Sequence, residues 1–258
     1  MKYLRLSDSI QYAKRIQQAV LPGQEQIKDL FPEYFIFNRP KSIVSGDFYW
    51  ASRVNHYRIV AAVDCTGHGV PGGFMSMLGV LMLNEVVNQR EIVDPKKVLN
   101  YLRQNIISVL HQTGDLSDTS DGMDISLCVI NDKDLTLNFS GANSSMLILQ
   151  ENDNGEYEMT CLFSDRMPIS YHFEMKSFTN QTVKLKPNAF IYLYSDGIID
   201  QFGGDFGKKF QLSRMKEFIL ANKFLPLKTQ GIVLEQQFNS WKGNTFQVDD
   251  VLVMGLKV

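Results

Sequence analysis

Tyr57-Arg58-Ile59-Val60-Ala61-Ala62-Val63-Asp64-Cys65-Thr66-Gly67-His68-Gly69-Val70-Pro71-Gly72-Gly73-Phe74 reads as a strand, a loop and the start of a helix. The apolar, β-branched run from Ile59 to Val63, bounded by turn residues, predicts a buried strand. It ends on a carboxylate, Asp64. Thr66 to Gly69 is too rich in glycine for a helix interior, and Pro71-Gly72-Gly73 opens a methionine-rich helix. An acid where a buried strand gives way to a loop is open to a ligand and firmly aimed at it.

Working outward, Ser45-Gly46-Asp47-Phe48-Tyr49-Trp50 lies just upstream. A hairpin of Phe48–Ala51 with Tyr57–Val63, turning at Asn55-His56, sets Asp47 facing Asp64. Like charges directly opposite each other are destabilising, and a cation between them is the simplest offset. Oxygen ligands select a hard ion such as Mg²⁺ or Mn²⁺. Either Asp alone could merely cap a turn, so the metal reading needs further acids. Ala189 to Ser195 is an aromatic-rich strand ending on Asp196-Gly197, and Asp249-Asp250 precedes the apolar strand Val251–Met254. If those two strands are antiparallel neighbours, Asp196 meets Asp249.

These motifs, in this order, resemble those of the metal-dependent PPM-type (type 2C-like) serine/threonine phosphatases, in the bacterial branch named for stage II sporulation protein E. The resemblance runs from about Ala13 to Val258 and rests on Ser45-Gly46-Asp47-Phe48-Tyr49, Asp64-Cys65-Thr66-Gly67-His68-Gly69-Val70-Pro71, Ser195-Asp196-Gly197 and Asp249-Asp250. It implies hydrolysis of phosphoserine or phosphothreonine by a water activated between two Mn²⁺ or Mg²⁺ ions. Asp47 and Asp64 would bridge or bind both ions, and the Cys65 backbone carbonyl would add an oxygen. Asp196 and Asp249 would complete one ion, with Asp250 the substitute for Asp249. A third, weaker ion would draw on Asp121 or Asp124; alternatively, Asp124 orders its loop by hydrogen bonds. No Ser or Cys nucleophile is needed. His68 has the pKa range of a general acid, but a histidine in a glycine loop more often orders that loop. The family pattern has Thr or Ser shortly after the last acidic pair, where this chain has Val251-Leu252. Two rivals stay open: a catalytically silent binding module of the same fold, and a two-metal phosphodiesterase.

The rest of the chain supplies the scaffold. A chain of 258 residues is within reach of one large domain. Many short strands with few helices between them predict antiparallel sheets. Helices over Phe74–Asn88 and Pro95–Gln112, then near Ser213–Asn222 and Leu225–Trp241, would cover both outer faces. The expected class is α+β, a four-layer αββα sandwich of two mainly antiparallel sheets, which the resemblance also implies. A strand is predicted over Phe31–Arg39, and Tyr171–Phe178 is expected to pair loosely with Thr182–Leu185.

Ser7–Leu21 reads as a helix capped by Ser7 and stopped by Pro22-Gly23. Leu6, Ile10, Ala13, Gln17 and Val20 form a seam of only about two heptads. It either packs on its own domain or ends a longer signalling helix. The domain reading is therefore residues 1–22 as a signalling or linker helix and 23–258 as the phosphatase domain. By resemblance, a sensor precedes such a domain, a homodimer forms through this helix, and the phosphoprotein partner is an anti-sigma-factor antagonist.

A net charge of −2 gives no basic footprint for nucleic acid. No apolar run approaches the ~20 residues of a membrane span, and no signal peptide is evident; the expected location is cytoplasmic. Cys65, Cys128 and Cys161 are odd in number and form no CxxC pair, which disfavours disulfides and zinc. Arg39 and Lys41 could greet a substrate phosphate or be solvated charges. Gln201 to Lys209 lacks P-loop spacing and reads as a flexible flap. Gly114 to Gly122 is a polar loop carrying Asp115, Asp118 and Asp121.

Overall fold

The computed structural model describes residues 2–115 and 120–258, with side chains from residue 7 onward. Asp118, and the Leu6 side chain of the predicted seam, lie outside that description. The elements run α1 (Lys2–Val20), α2 (Gln24–Leu30), β1 (Tyr34–Arg39), β2 (Phe48–Val54), β3 (Tyr57–Cys65), α3 (Val70–Leu83), α4 (Pro95–Val109), β4 (Met123–Asn131), β5 (Thr136–Ala142), β6 (Met146–Glu151) and β7 (Tyr157–Leu162). Then follow β8 (Gln181–Lys184), β9 (Phe190–Tyr194), α5 (Asp196–Asp200), β10 (Phe202–Gly203), β11 (Lys208–Lys209), α6 (Gln211–Asn222), α7 (Leu227–Lys242) and β12 (Val251–Lys257). One five-stranded sheet has the order β1-β12-β9-β6-β7 and the other β2-β3-β4-β5-β8. All their ladders are antiparallel.

The layers follow from strand periodicity, since successive side chains point to opposite faces. On β3, Ile59, Ala61 and Val63 pack with Val80, Leu83, Leu99 and Leu102 of α3 and α4. Val60 and Ala62 face the other way, into a core shared with Ile148, Ile191, Leu193 and Met254 of the opposite sheet. That sheet's outer face, Phe37, Tyr192 and Val253 among others, is covered by Phe218, Leu234 and Phe238 of α6 and α7. The result is helix, sheet, sheet, helix, as expected from the sequence.

The β2–β3 hairpin has the predicted register, Phe48 opposite Val63 and Val54 opposite Tyr57. Asn55 sits at φ 54°, a left-handed turn conformation that asparagine tolerates. Several boundaries differ from expectation. Helix α1 begins well before Ser7, which is therefore no N-cap. Tyr171–Phe178 forms no strand; only Gln181–Lys184 does, and it pairs with β5. The segment after Tyr194 turns at once into α5.

Val70–Gln89, in which a π-helical turn (Asn84–Gln89) continues α3, has the length and mean hydropathy (1.4) of a membrane span. That overturns the expectation that no run comes close. It is a core helix: Val80, Leu83, Val86 and Val87 are buried against β2 and β3. Helix α1 packs on its own domain through its C-terminal half. Gln17, buried, donates from Nε2 to Ser45 O at 2.6 Å and to Ser76 Oγ at 2.7 Å, and its Oε1 accepts from Ser45 N. Ala13 of the seam is exposed.

Candidate metal centre

The site forms where the two sheets end side by side. In one sheet β3 runs antiparallel to β4, so Asp64 lies opposite Asp124. In the other, β9 runs antiparallel to β12, and Ser195 N donates to Leu252 O at 2.9 Å. Just past the end of that ladder, Asp196, at the first position of α5, and Asp249 line the same cavity.

Two glycines allow these loops to close. A Cβ on Gly46 would lie 2.6 Å from Gly67 O, and one on Gly72 would lie 2.1 Å from the same atom. The Ser45-Gly46-Asp47 turn, the Gly67 carbonyl and the first turn of α3 thus meet at a distance only hydrogen side chains permit.

Asp47 is 2% exposed. Its Oδ2 accepts from Ser195 Oγ, and that hydroxyl accepts in turn from Leu252 N at 2.9 Å. The carboxyl of Asp64 adjoins those of Asp47 and Asp196. Buried like charges this close cannot all ionise, so the cluster holds its protons strongly. Burial, with Asp47 and Asp196 next to it, pushes Asp64 up to about 11. Burial raises Asp47 to about 8, with the Ser195 bond opposing. Asp124 rises to about 6 through burial, against the hydrogen bond it accepts from Asn143 Nδ2 at 3.0 Å. Burial raises Asp196 too.

A cavity of about 240 Å³ opens here, lined by Asp64, Asp124, Asp196 and Asp249 together with Cys65 and Gly67. Among the described residues, no ion pair neutralises any of these acids or Asp47. Nor do three acidic, histidine or cysteine side chains among the described residues form one cage. A buried acid cluster with hard oxygen donors and no counter-charge fits Mg²⁺ or Mn²⁺.

The adjacent acids of the last motif face different ways. Asp249 is exposed and lines the cavity. Asp250 is 2% exposed, and its carboxylate accepts from Lys41 N at 2.6 Å and Gly46 N at 2.7 Å. It clamps both ends of the loop that presents Asp47. We expect Asp250→Ala to leave those two amides unpaired, at about 1–3 kcal/mol each. Urea denaturation measures this; a loss under about 0.5 kcal/mol would contradict the clamp.

The Cys65 side chain is buried, and burial pushes its thiol up, which suits filler and not a nucleophile. His68 is exposed in the glycine loop. Arg39 does not reach the cavity: it bonds Asn239 and lies over the Phe238 ring at 5.6 Å. The Lys41 side chain is exposed, and its backbone amide is the group engaged, at Asp250. Lys209 of the predicted flap, now the β10–β11 hairpin, pairs with Asp200 at 2.7 Å. Asp121 contributes its backbone carbonyl to Gln112 at 2.6 Å. Sequence reasoning missed Ser195, Asn143 and Gln17. Their roles depend on contacts between residues far apart in the chain, and only Ser195, next to Asp196, carried a local hint.

Comparison with known proteins gives three kinds of result. The family described as Stage II sporulation protein E (SpoIIE) matches residues 55–258. No curated protein sequence matches the chain. Among solved structures, the SiaA-PP2C domain of Pseudomonas aeruginosa superposes with a TM-score of 0.88 at 28% identity, covering 100% of this chain and 99% of that one. A structure of the PP2C phosphatase domain and a regulatory fragment of SpoIIE from Bacillus subtilis gives a TM-score of 0.69 at 17% identity, over 88% of this chain and 63% of that one. RsbX in complex with magnesium shares the fold at a TM-score of 0.56 and 12% identity, over 87% and 92% of the two chains.

Proposed function

This chain belongs to the stage II sporulation protein E family of PP2C-type phosphatase domains, and we propose that it hydrolyses phosphoserine or phosphothreonine on a regulatory protein. The observation that carries the proposal is the cluster of Asp47, Asp64, Asp124, Asp196 and Asp249, which has no neutralising cation among the described residues.

Asp64, with Asp47 and Asp196 beside it, would be a ligand to both divalent cations. Asp47 would share one with it, fixed in orientation by Ser195. Asp196 and Asp249 would hold the other from the opposite sheet, and the Cys65 carbonyl, at the cavity wall, is a further oxygen. Asp124, which accepts from Asn143, would serve a third and weaker ion. We assign Asp250 a positioning role, since its carboxylate serves backbone amides. When bound, divalent cations supply Lewis acidity, lowering the pKa of water and offsetting phosphoryl charge. The walls from Thr66, Ser170 and Pro168 limit how a phosphate ester can enter.

The test is Mn²⁺-dependent release of phosphate from a phosphoserine peptide. Release that is independent of divalent cations would overturn the proposal. The same proposal takes the substrate to be a small phosphoprotein antagonist of an anti-sigma factor, with residues 1–22 as a signalling helix that supports a homodimer. In support of the dimer, Tyr12 (65%), Phe74 (74%) and Leu81 (60%) stay exposed on the packed pair α1 and α3. A cytoplasmic setting accords with three free cysteines.

A further inference from the structure

Four strands end the two sheets, and they are treated differently. At the β2 edge, Ala51 O accepts from Gln26 Nε2 of α2 at 3.0 Å, and Ser52 Oγ donates to Asn88. At the β1 edge the backbone is left open. Lys257 N donates to Glu33 O, and with Tyr34 opposite Leu256 this makes Phe35, Phe37 and Arg39 the residues bonded to β12. The N–H and C=O groups of Tyr34, Ile36 and Asn38 therefore point outward. Among the described residues no backbone or side-chain group bonds them.

A cleft of about 580 Å³ runs along this edge, walled by Phe35, Ile36 and Phe37 on one side and by Pro226 with Leu227 and Ile232 of α7 on the other, with Lys28, Glu33, Lys228 and Glu235 also in its lining. Ile232 is 51% exposed. An open row of main-chain donors and acceptors beside an apolar trough is what an added strand requires.

The edge also leads to the catalytic end. Arg39, the last residue of β1, is opposite Val251, and Lys41 N already touches the carboxylate of Asp250, next to Asp249. We propose that β1 is a docking edge for an extended segment of the phosphoprotein substrate, which adds to the sheet as a sixth strand. This rests on the phosphatase reading above. Antiparallel addition, the more stable mode, places the phosphoserine on the N-terminal side of the docked segment, past Arg39. Alternate side chains of the segment enter the trough, so the site selects β-prone, apolar-alternating flanks.

The test uses two fluorescein-labelled peptides of sequence phosphoserine-Gly-Ser-Gly-Val-Thr-Val-Thr-Val. They are identical except that the second is N-methylated at alternate flank residues, which removes its pairing edge. By anisotropy, the plain peptide is expected to bind the full chain about tenfold more tightly, each tenfold being ~1.4 kcal/mol. Ile36→Pro removes one outward N–H and spares the β12 ladder, and should erase the difference. Ile232→Lys, on the exposed trough wall, should weaken the plain peptide about fivefold and serves if the proline variant fails to fold. Both folded variants should hydrolyse para-nitrophenyl phosphate at the wild-type rate.

Equal affinities in the wild type, or a difference that survives both substitutions, would overturn the proposal. So would a wild-type dimer by light scattering that Ile36→Pro makes monomeric, because a second copy would then occupy the edge. A wild type that distinguishes the peptides by binding but hydrolyses neither them nor para-nitrophenyl phosphate would overturn the phosphatase reading and leave the docking edge standing.

Discussion

Asp64→Asn is expected to abolish activity and, without divalent cations, to make the protein more stable. Asp64 lies beside Asp47 and Asp196, and burial with those neighbours pushes its carboxyl up to about 11. Near neutral pH the folded chain must hold a proton there or suffer a buried, repelled charge. Asparagine has nearly the same shape and no charge, so the cation-free fold is relieved of that burden. The same substitution removes the one carboxylate that reaches both halves of the acid cluster. We expect phosphate release from a phosphoserine peptide to fall by about a thousandfold or more, ~4 kcal/mol of transition-state stabilisation. Circular dichroism melts and a phosphate-release assay measure the two effects. A variant as active as the wild type would remove the metal-hydrolysis account; an inactive variant that is also less stable would mean that Asp64 serves the fold alone.

The second large effect is the coupling of cations to stability through pH. Asp47 and Asp64 have folded-state pKa values raised from the ordinary 3.8 to about 8 and about 11. Between 3.8 and those values the folded chain binds more protons than the unfolded chain, so stability falls as pH rises. The contribution of these groups is complete below pH 4 and is lost through pH 8 for Asp47, and further up for Asp64. Chelator-treated protein should therefore melt at a lower temperature at pH 8 than at pH 5. Manganese at about a hundred times its Kd adds ~2.7 kcal/mol per site, which is roughly 5–10 °C for a domain of this size. At one fixed manganese concentration the rise should be larger at pH 8, where protons compete less for the carboxylates than at pH 5. An equal rise at both pH values, or a cation-free protein more stable at pH 8, would contradict the proton-sharing cluster.

The sequence made the framework legible because its cues are local. The apolar, β-branched run Ile59–Val63, the Asn55-His56 turn and the carboxylates closing each strand name both the hairpin and the acids. Pairing Asp196 with Asp249 needed one topological assumption, that β9 and β12 are antiparallel neighbours, and the ladder has that form. What stayed hidden is tertiary. Nothing local distinguishes Asp249 from Asp250; the difference arises because two amides, from Lys41 and Gly46, close around one of them. The Tyr171–Phe178 segment alternates well enough to predict a strand, yet its backbone groups are taken by side chains: Tyr171 N donates to Gln112, Phe178 N to Asn100, and Lys176 O accepts from Arg103. Gln17 in the α1 seam looked like a flaw in a coiled coil, and its partners, Ser45 and Ser76, lie in distant elements. The apolar helix from Val70 to Gln89 was underestimated because glycine, serine and asparagine interrupt its run without lowering its mean hydropathy below that of a span.

The most direct measurement is diffraction from manganese-soaked crystals, with data collected at the manganese absorption edge. The account predicts two anomalous peaks per chain in the cavity bounded by Asp64, Asp196 and Asp249, one of them shared with Asp47. No peak there, or peaks only at surface carboxylates, would contradict it.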